Sequence, residues 1–137
     1  MKARRNSSRS RIIKQLRAVI EEDDRILFAY LHGSFAEGSA SYRDIDVALY
    51  FRDDVGPEVR LDRALELGAL LSYRLGKPVD AQVLNDAPLE FRFAVTRGIA
   101  LFSRDEETRL SFVERTWMEY WDFKPLLRES LHDLLQA

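Results

Sequence analysis

The chain has 137 residues, of which 46% are hydrophobic, and this length supports one hydrophobic core better than two. Its formal net charge of −2 gives no overall electrostatic attraction to nucleic acid. Because the chain contains no cysteine, disulfides, thiolate metal sites and a cysteine nucleophile are excluded. We therefore predict a single domain over residues 1–137.

The N-terminal segment is basic, with seven lysines and arginines ahead of the first acidic residue, Glu21. Apolar residues at helical spacing over residues 12–20 predict a helix, with Ser8 or Ser10 as its cap. We favour a solvated, partly frayed terminus over about residues 1–10 rather than a nucleic-acid-binding arm. No apolar signal core follows, and no apolar run approaches a membrane span. We expect a cytoplasmic protein that contacts neither membrane nor nucleic acid directly.

Short apolar segments predict the strands of one small sheet. Residues 26–31 form a continuous apolar run, as in a strand buried on both faces. Residues 45–51 and 79–84 alternate in character, so each has one apolar face. Residues 99–102 are short and apolar, which is typical of an edge strand.

Three helical segments separate or follow these strands. A stripe of apolar residues over residues 61–75 predicts a helix that Gly76 and Pro78 terminate. A second helix is predicted over about 88–97, and a helical C-terminal segment over about 105–137 that Pro125 should kink or break. The order predicts an α+β fold in which a small mixed β-sheet is packed with helices, mainly on one face.

Carboxylates stand at the start of two of the predicted strands. Asp44 and Asp46 are two residues apart, so a strand places them on the same side, roughly 6–7 Å apart at the backbone. Asp80 opens the next strand and faces away from its apolar side chains. If the two strands are neighbours, the three carboxylates converge, and such a cluster suits Mg²⁺, a cation that takes oxygen ligands. Two such ions can clamp the attacking and leaving oxygens of an in-line displacement.

A glycine- and serine-rich turn lies between the first two strands. Gly33 permits close approach of the backbone to a phosphate, and Ser34 offers hydroxyl and N–H donors. Gly38, Ser39 and Ser41 add flexible or donor groups to the same loop. Each feature alone is typical of an ordinary turn or strand end. Their order favours phosphoryl-type chemistry: apolar strand, Gly-Ser, nine residues, Asp-x-Asp, helix, and a strand with a third Asp.

With Gly33, Ser34, Asp44, Asp46 and Asp80 in this order, the chain resembles the polymerase-β-like nucleotidyltransferases. It is most similar to the minimal nucleotidyltransferase (MNT) domains of the MntA-type antitoxins, which are paired with HEPN-domain toxins. The resemblance spans nearly the whole chain, because residues 120–123 and the leucines after them are similar to the C-terminal helices of these antitoxins. It implies a polymerase-β-like palm with C-terminal helices.

The resemblance also implies an activity, which is transfer of AMP from ATP to a tyrosine hydroxyl of the cognate HEPN ribonuclease toxin. This modification would silence the toxin, and the two proteins would form a hetero-oligomer. Asp44 and Asp46 would hold Mg²⁺, and Asp80 would hold a second ion and help to activate the acceptor. Ser34 would contact the phosphates of ATP. The catalytic and metal-binding residues would thus be Asp44, Asp46 and Asp80, and the nucleotide-binding residues Gly33, Ser34 and Ser39.

Two positions differ from the pattern of many relatives. Glu37 stands where an arginine is frequent, and Arg43 stands where a serine often precedes the first aspartate. These changes keep open a second hypothesis, an antitoxin that neutralises its toxin by binding, with weak or no catalysis. A third is a nucleotidyltransferase acting on a small hydroxyl compound, although such enzymes usually carry an added substrate domain.

Other side chains have a structural and a functional interpretation. His32 lies next to the turn, where it is either a locally bonded strand-end residue or a nucleotide contact. Lys77, Arg92 and Arg97 are candidate phosphate ligands, but solvated side chains are the commoner case. The aromatic residues 117, 120 and 121 favour a core or interface cluster over a stacking platform for adenine.

Overall fold

The structure, a computed structural model, describes residues 2–136, without the side chains of residues 2–7, 124, 127, 128 and 131. Five helices and four strands alternate along the chain. In order they are α1 (Lys2–Glu21), β1 (Ile26–His32), α2 (Gly33–Ala36), β2 (Ile45–Phe51), α3 (Pro57–Leu75), β3 (Val79–Val83), α4 (Leu89–Thr96), β4 (Ile99–Ser103) and α5 (Glu106–Gln136).

The four strands form one mixed sheet in the order β3-β2-β1-β4. β1 is antiparallel to both of its neighbours, β2 and β4, whereas β2 and β3 are parallel. The predicted α+β fold with a small mixed sheet is confirmed. The short strand β4 lies at an edge, as its length indicated.

Helices cover both faces of the sheet, so the expectation of helices mainly on one face is wrong. On one face, α1 and α3 pack against alternate residues of β2 from Ile45 to Phe51, all fully buried. On the other face, Val95 of α4 and Phe112 of α5 pack against Phe28 and Ala48. The second layer follows from β1, because a strand that is apolar on both sides must be covered on both sides.

Two helix boundaries differ from the prediction. α1 begins at Lys2, ahead of Ser8 and Ser10, because the lysine, arginine and alanine residues there favour helix. α5 continues through Pro125, so of the predicted kink or break the structure excludes the break. The predicted end of α3 is confirmed: Gly76 has φ 64° and donates its N–H to the carbonyl of Ser72. Within residues 2–136, no helix is both long and apolar enough to span a membrane.

A buried carboxylate ties the start of β1 to α3. Asp23 is 8% exposed and accepts hydrogen bonds from the Nε and Nη2 atoms of Arg25 at 3.0 Å and from Nε of Arg63 at 2.6 Å. Burial raises the pKa of Asp23, but the hydrogen bonds from Arg25 and Arg63 outweigh burial. The pKa therefore lies well below its ordinary value of 3.8.

Asp23→Ala is expected to lower the free energy of unfolding by about 3 kcal/mol, because two guanidinium groups lose their buried partner. Because the folded-state pKa is depressed, the stabilisation is complete above the ordinary carboxyl pKa and is lost as the pH falls below it. Urea unfolding at pH 7 and pH 3 measures both effects. Asp24→Ala is the matched control, since that side chain is 90% exposed and lies 3.7 Å from Arg104. Equal losses in the two variants would contradict the assignment.

Candidate active site

Three polar side chains form one row across the sheet. His32 pairs with Asp46 in the antiparallel β1–β2 ladder, and Asp46 pairs with Asp80 in the parallel β2–β3 ladder. Neighbouring strands lie about 4.8 Å apart, and directly paired residues point to the same face. β3 is therefore the neighbour of β2, as the convergence of the carboxylates required. Asp44 precedes β2 and is exposed, as is Asp80, whereas Asp46 is partly buried.

The carboxylates of the row influence one another electrostatically. Burial raises the pKa of Asp46, and the charges of Asp80 and Asp44 raise it further, while His32 lowers it. Within residues 2–136, no three acidic or histidine side chains are already arranged around a point as metal ligands. The donor set nevertheless fits Mg²⁺, because a dication would relieve the repulsion between carboxylates that offer only hard oxygen atoms.

A chain of two hydrogen bonds links β1 to β3 beside this row. His32 donates from Nε2 to Oε1 of Gln82 at 3.0 Å, and Gln82 donates from Nε2 to Oδ2 of Asp80 at 2.9 Å. The His32 ring also stands edge-on to Phe91 of α4, with ring centroids 5.4 Å apart. Burial lowers the pKa of His32. His32 is thus bonded across the sheet rather than locally.

Gln82 is a site residue that the sequence interpretation missed. It lies two residues after Asp80 on β3, so both side chains occupy the same face. That spacing was visible in the sequence, but a glutamine on a strand is common and offers no distinctive signal. Its contacts hold one oxygen of Asp80 in place on the sheet.

Gly33 brings the turn against the carboxylate of Asp46. β1 ends at His32, and Gly33, with φ 76°, begins the single helical turn α2 within the predicted glycine- and serine-rich turn. A Cβ atom at position 33 would collide with Oδ2 of Asp46. Glycine is therefore required at position 33 for two reasons, its backbone conformation and this close approach.

The two serines of the turn have different surroundings. The Ser34 carbonyl accepts the N–H of Ser39 at 3.0 Å, and Ser39 Oγ accepts the N–H of Ser41 at 3.3 Å. Ser39 lines a cleft together with Arg9 of α1, and this cleft shares no lining residue with the cleft that Gly33 lines. Arg9 itself donates to the carbonyls of Phe35 and Ala36. Arg9, a basic residue of the N-terminal segment, therefore caps the C-terminal end of α2.

A cleft of about 340 Å³ lies beside Gly33. It is lined by His32, Gly33, Ala36, Glu37, Ala94, Arg97, Gly98 and Ile99. Of the three cations considered for phosphate binding, Arg97 lies at this cleft, Lys77 stands 5.2 Å from the Tyr42 ring centroid, and Arg92 lines a separate cavity. A basic residue, Arg97, and an acidic residue, Glu37, therefore both line this cleft.

The aromatic cluster joins α4 to α5. Phe93 stacks on Tyr120 with ring centroids 3.7 Å apart, and Trp117 donates from Nε1 to Oγ1 of Thr96 at 3.0 Å. These contacts place Trp117 and Tyr120 in the packing between α4 and α5, whereas Trp121, the third residue of the cluster, is 55% exposed.

Comparison with known proteins adds independent findings. Residues 14–107 match the model of the family described as "Polymerase beta, Nucleotidyltransferase". No curated protein matches the sequence significantly.

Three similar solved structures are toxin–antitoxin complexes. A chain of a toxin–antitoxin complex with AMP-PNP is 23% identical over 93% of this chain and 98% of its own, with a TM-score of 0.67. A chain from a complex of a tri-AMPylated Shewanella oneidensis HEPN toxin with an MNT antitoxin is 25% identical over 97% and 99%, with a TM-score of 0.62. A chain of a mutant MntA–HpeT toxin–antitoxin is 27% identical over 93% and 97%, with a TM-score of 0.66.

Proposed function

Since this chain belongs to the polymerase β nucleotidyltransferase family, we propose that it is an antitoxin that transfers AMP from ATP to a tyrosine hydroxyl of a HEPN toxin. The observation that carries the proposal is the row of Asp46 and Asp80 on adjacent strands, next to the Gly33 turn. Its fold is shared almost end to end with a chain from a complex that contains an AMPylated HEPN toxin.

Asp44, Asp46 and Asp80 would hold two magnesium ions, as the family pattern implies. These ions would neutralise the charge of the phosphates. The phenolic oxygen of the toxin attacks the α-phosphorus of ATP, forming the new O–P bond as the bond to the β-phosphate oxygen breaks and pyrophosphate leaves. Asp80, held by Gln82, takes the phenolic proton. Gly33 and Ser34 would contact the phosphates, and Arg97, which lines the cleft with Gly33, would offer a guanidinium to them.

The expected result is that a cognate HEPN toxin gains mass in whole AMP units when incubated with this protein, ATP and Mg²⁺. Intact-mass spectrometry measures the gain, with the toxin's acceptor tyrosine changed to phenylalanine as the control. Parallel reactions with GTP, CTP and UTP identify the preferred nucleotide. A toxin that stays unmodified in every reaction contradicts the proposal.

One observation favours binding without catalysis as a second candidate. Glu37 is exposed, lines the cleft beside Gly33, and therefore places a negative charge where the phosphates of ATP would lie. This candidate predicts a toxin that is inhibited in the complex while its mass is unchanged. The same mass measurement, combined with a ribonuclease assay of the toxin, separates the two.

A further inference from the structure

A second cavity of about 340 Å³ lies toward the opposite end of β2 and β3 from Asp46 and Asp80. It reaches Tyr50, which is four residues beyond Asp46 on β2 and thus about 13 Å away along the strand. The cavity contains charged groups from five separate parts of the fold, namely three helices and two loops. Its lining includes three arginines and two aspartates: Arg60 of α3, Arg92 of α4, Arg115 of α5, Asp53 and Asp86.

Arg60 is the buried member of this set. It is 8% exposed, and its Nε atom is buried with no hydrogen-bond acceptor in the described part of the chain. Its Nη1 atom lies 3.3 Å from Oδ2 of Asp86, whose side chain is 90% exposed. Such an exposed partner compensates a buried guanidinium poorly. Arg60 therefore retains unsatisfied donor capacity at the cavity.

The other two arginines are placed for a ligand in different ways. Arg92 is fixed, because it donates from Nε to the carbonyl of Ala87 at 2.9 Å and from Nη2 to Glu119 at 3.1 Å. Arg115 is exposed and lines the cavity, so its guanidinium is accessible to a ligand. Three guanidinium groups face two carboxylates, so the lining has a net positive charge.

We propose that this cavity binds a small phosphorylated anion, separately from the cleft beside Gly33. Arginine forks match phosphate oxygens in pairs, and the cavity volume falls in the range of small-molecule sites. The shared chemistry is the phosphoryl group, which pyrophosphate and a nucleotide both supply. This site does not depend on the adenylyl-transfer proposal, because none of its lining residues belongs to the carboxylate row.

Isothermal titration of the full chain with sodium pyrophosphate, and separately with ATP, tests the site in buffer with EDTA. Arg115→Ala is expected to weaken pyrophosphate binding about tenfold, the typical effect of losing a charge-assisted hydrogen bond. Asp86→Asn is expected to tighten it about threefold by removing a competing carboxylate. Asparagine suits this position, because Asp86 has φ 59° and asparagine tolerates that conformation.

Arg97→Ala is the matched control, since this exposed arginine lines the cleft beside Gly33 instead. An affinity for ATP that is at least tenfold higher than the affinity for pyrophosphate identifies a nucleotide as the ligand. Equal affinities identify the phosphoryl group alone. Binding that is weakened by Arg97→Ala but unchanged in both Arg115→Ala and Asp86→Asn overturns the proposal. So does a lack of measurable binding of either anion at millimolar concentration.

Discussion

Asp46→Asn is expected to lower the rate of adenylyl transfer to the toxin by about a thousandfold, the scale of losing one essential electrostatic group. Asparagine keeps the shape of the side chain but removes the negative charge that a magnesium ligand needs. Asp46 lies at the centre of the row, paired with both His32 and Asp80, so its loss affects the whole site. The rate of mass gain by the toxin at saturating ATP measures the effect.

The same substitution should leave the fold intact and raise the free energy of unfolding at neutral pH. The pKa of Asp46 is raised in the folded state, mainly by burial, so its ionised form is disfavoured there. A group with a raised pKa contributes stability below its unfolded pKa and loses it as the pH rises, and asparagine avoids that loss. Asp62→Asn, an exposed change on α3, is the control. A variant at position 46 that transfers AMP within threefold of the wild-type rate would falsify the role of this carboxylate.

The carboxylate row shows why part of the site is predictable from the sequence. Strand periodicity of two places Asp46 on the side of β2 away from the apolar face, whereas the adjacency of β2 and β3 was only the condition for the carboxylates to converge. The structure meets that condition, with Asp46 opposite Asp80. Which residues are exactly paired depends on strand register, which the sequence alone does not specify.

Side-chain networks are the part that the sequence could not supply. The contact from His32 to Gln82 joins residues 50 positions apart, across a strand that lies between them. It exists only once three strands are in register and Phe91 packs against the imidazole. The covering of both sheet faces was predicted wrongly, although the continuous apolar run of β1 indicated a strand buried on both faces.

The basic residues of the N-terminal helix α1 show that the function of a charged segment depends on its tertiary contacts. A basic segment suggested either a solvated terminus or a nucleic-acid arm, and the structure gives at least one of its residues a place in the fold. Arg9 donates to two carbonyls at the end of α2, and its guanidinium lies 4.7 Å from the Phe35 ring centroid. A helix C-terminus favours such a cation, but the pairing of α1 with a four-residue helix is not encoded locally.

Gly33→Ala is expected to lower the free energy of unfolding by about 1–3 kcal/mol and the transfer rate by about a hundredfold. The alanine is strained at φ 76°, and its methyl group would displace the carboxylate of Asp46. Gly38→Ala is a matched control, because Gly38 has φ 86° but an added Cβ there meets no atom within 4 Å. The control should therefore share the backbone strain and keep most of the activity.

A double-mutant cycle isolates the contact between the turn and the carboxylate. In an Asp46→Ala background the methyl group of Gly33→Ala has no carboxylate to displace, so it should destabilise the protein less than it does in the wild type. Gly38→Ala should cost the same free energy in both backgrounds. Urea unfolding of the six proteins measures these differences. Additive effects of Gly33→Ala and Asp46→Ala would show that the turn and the carboxylate do not constrain each other, leaving backbone strain as the sole requirement for glycine at position 33.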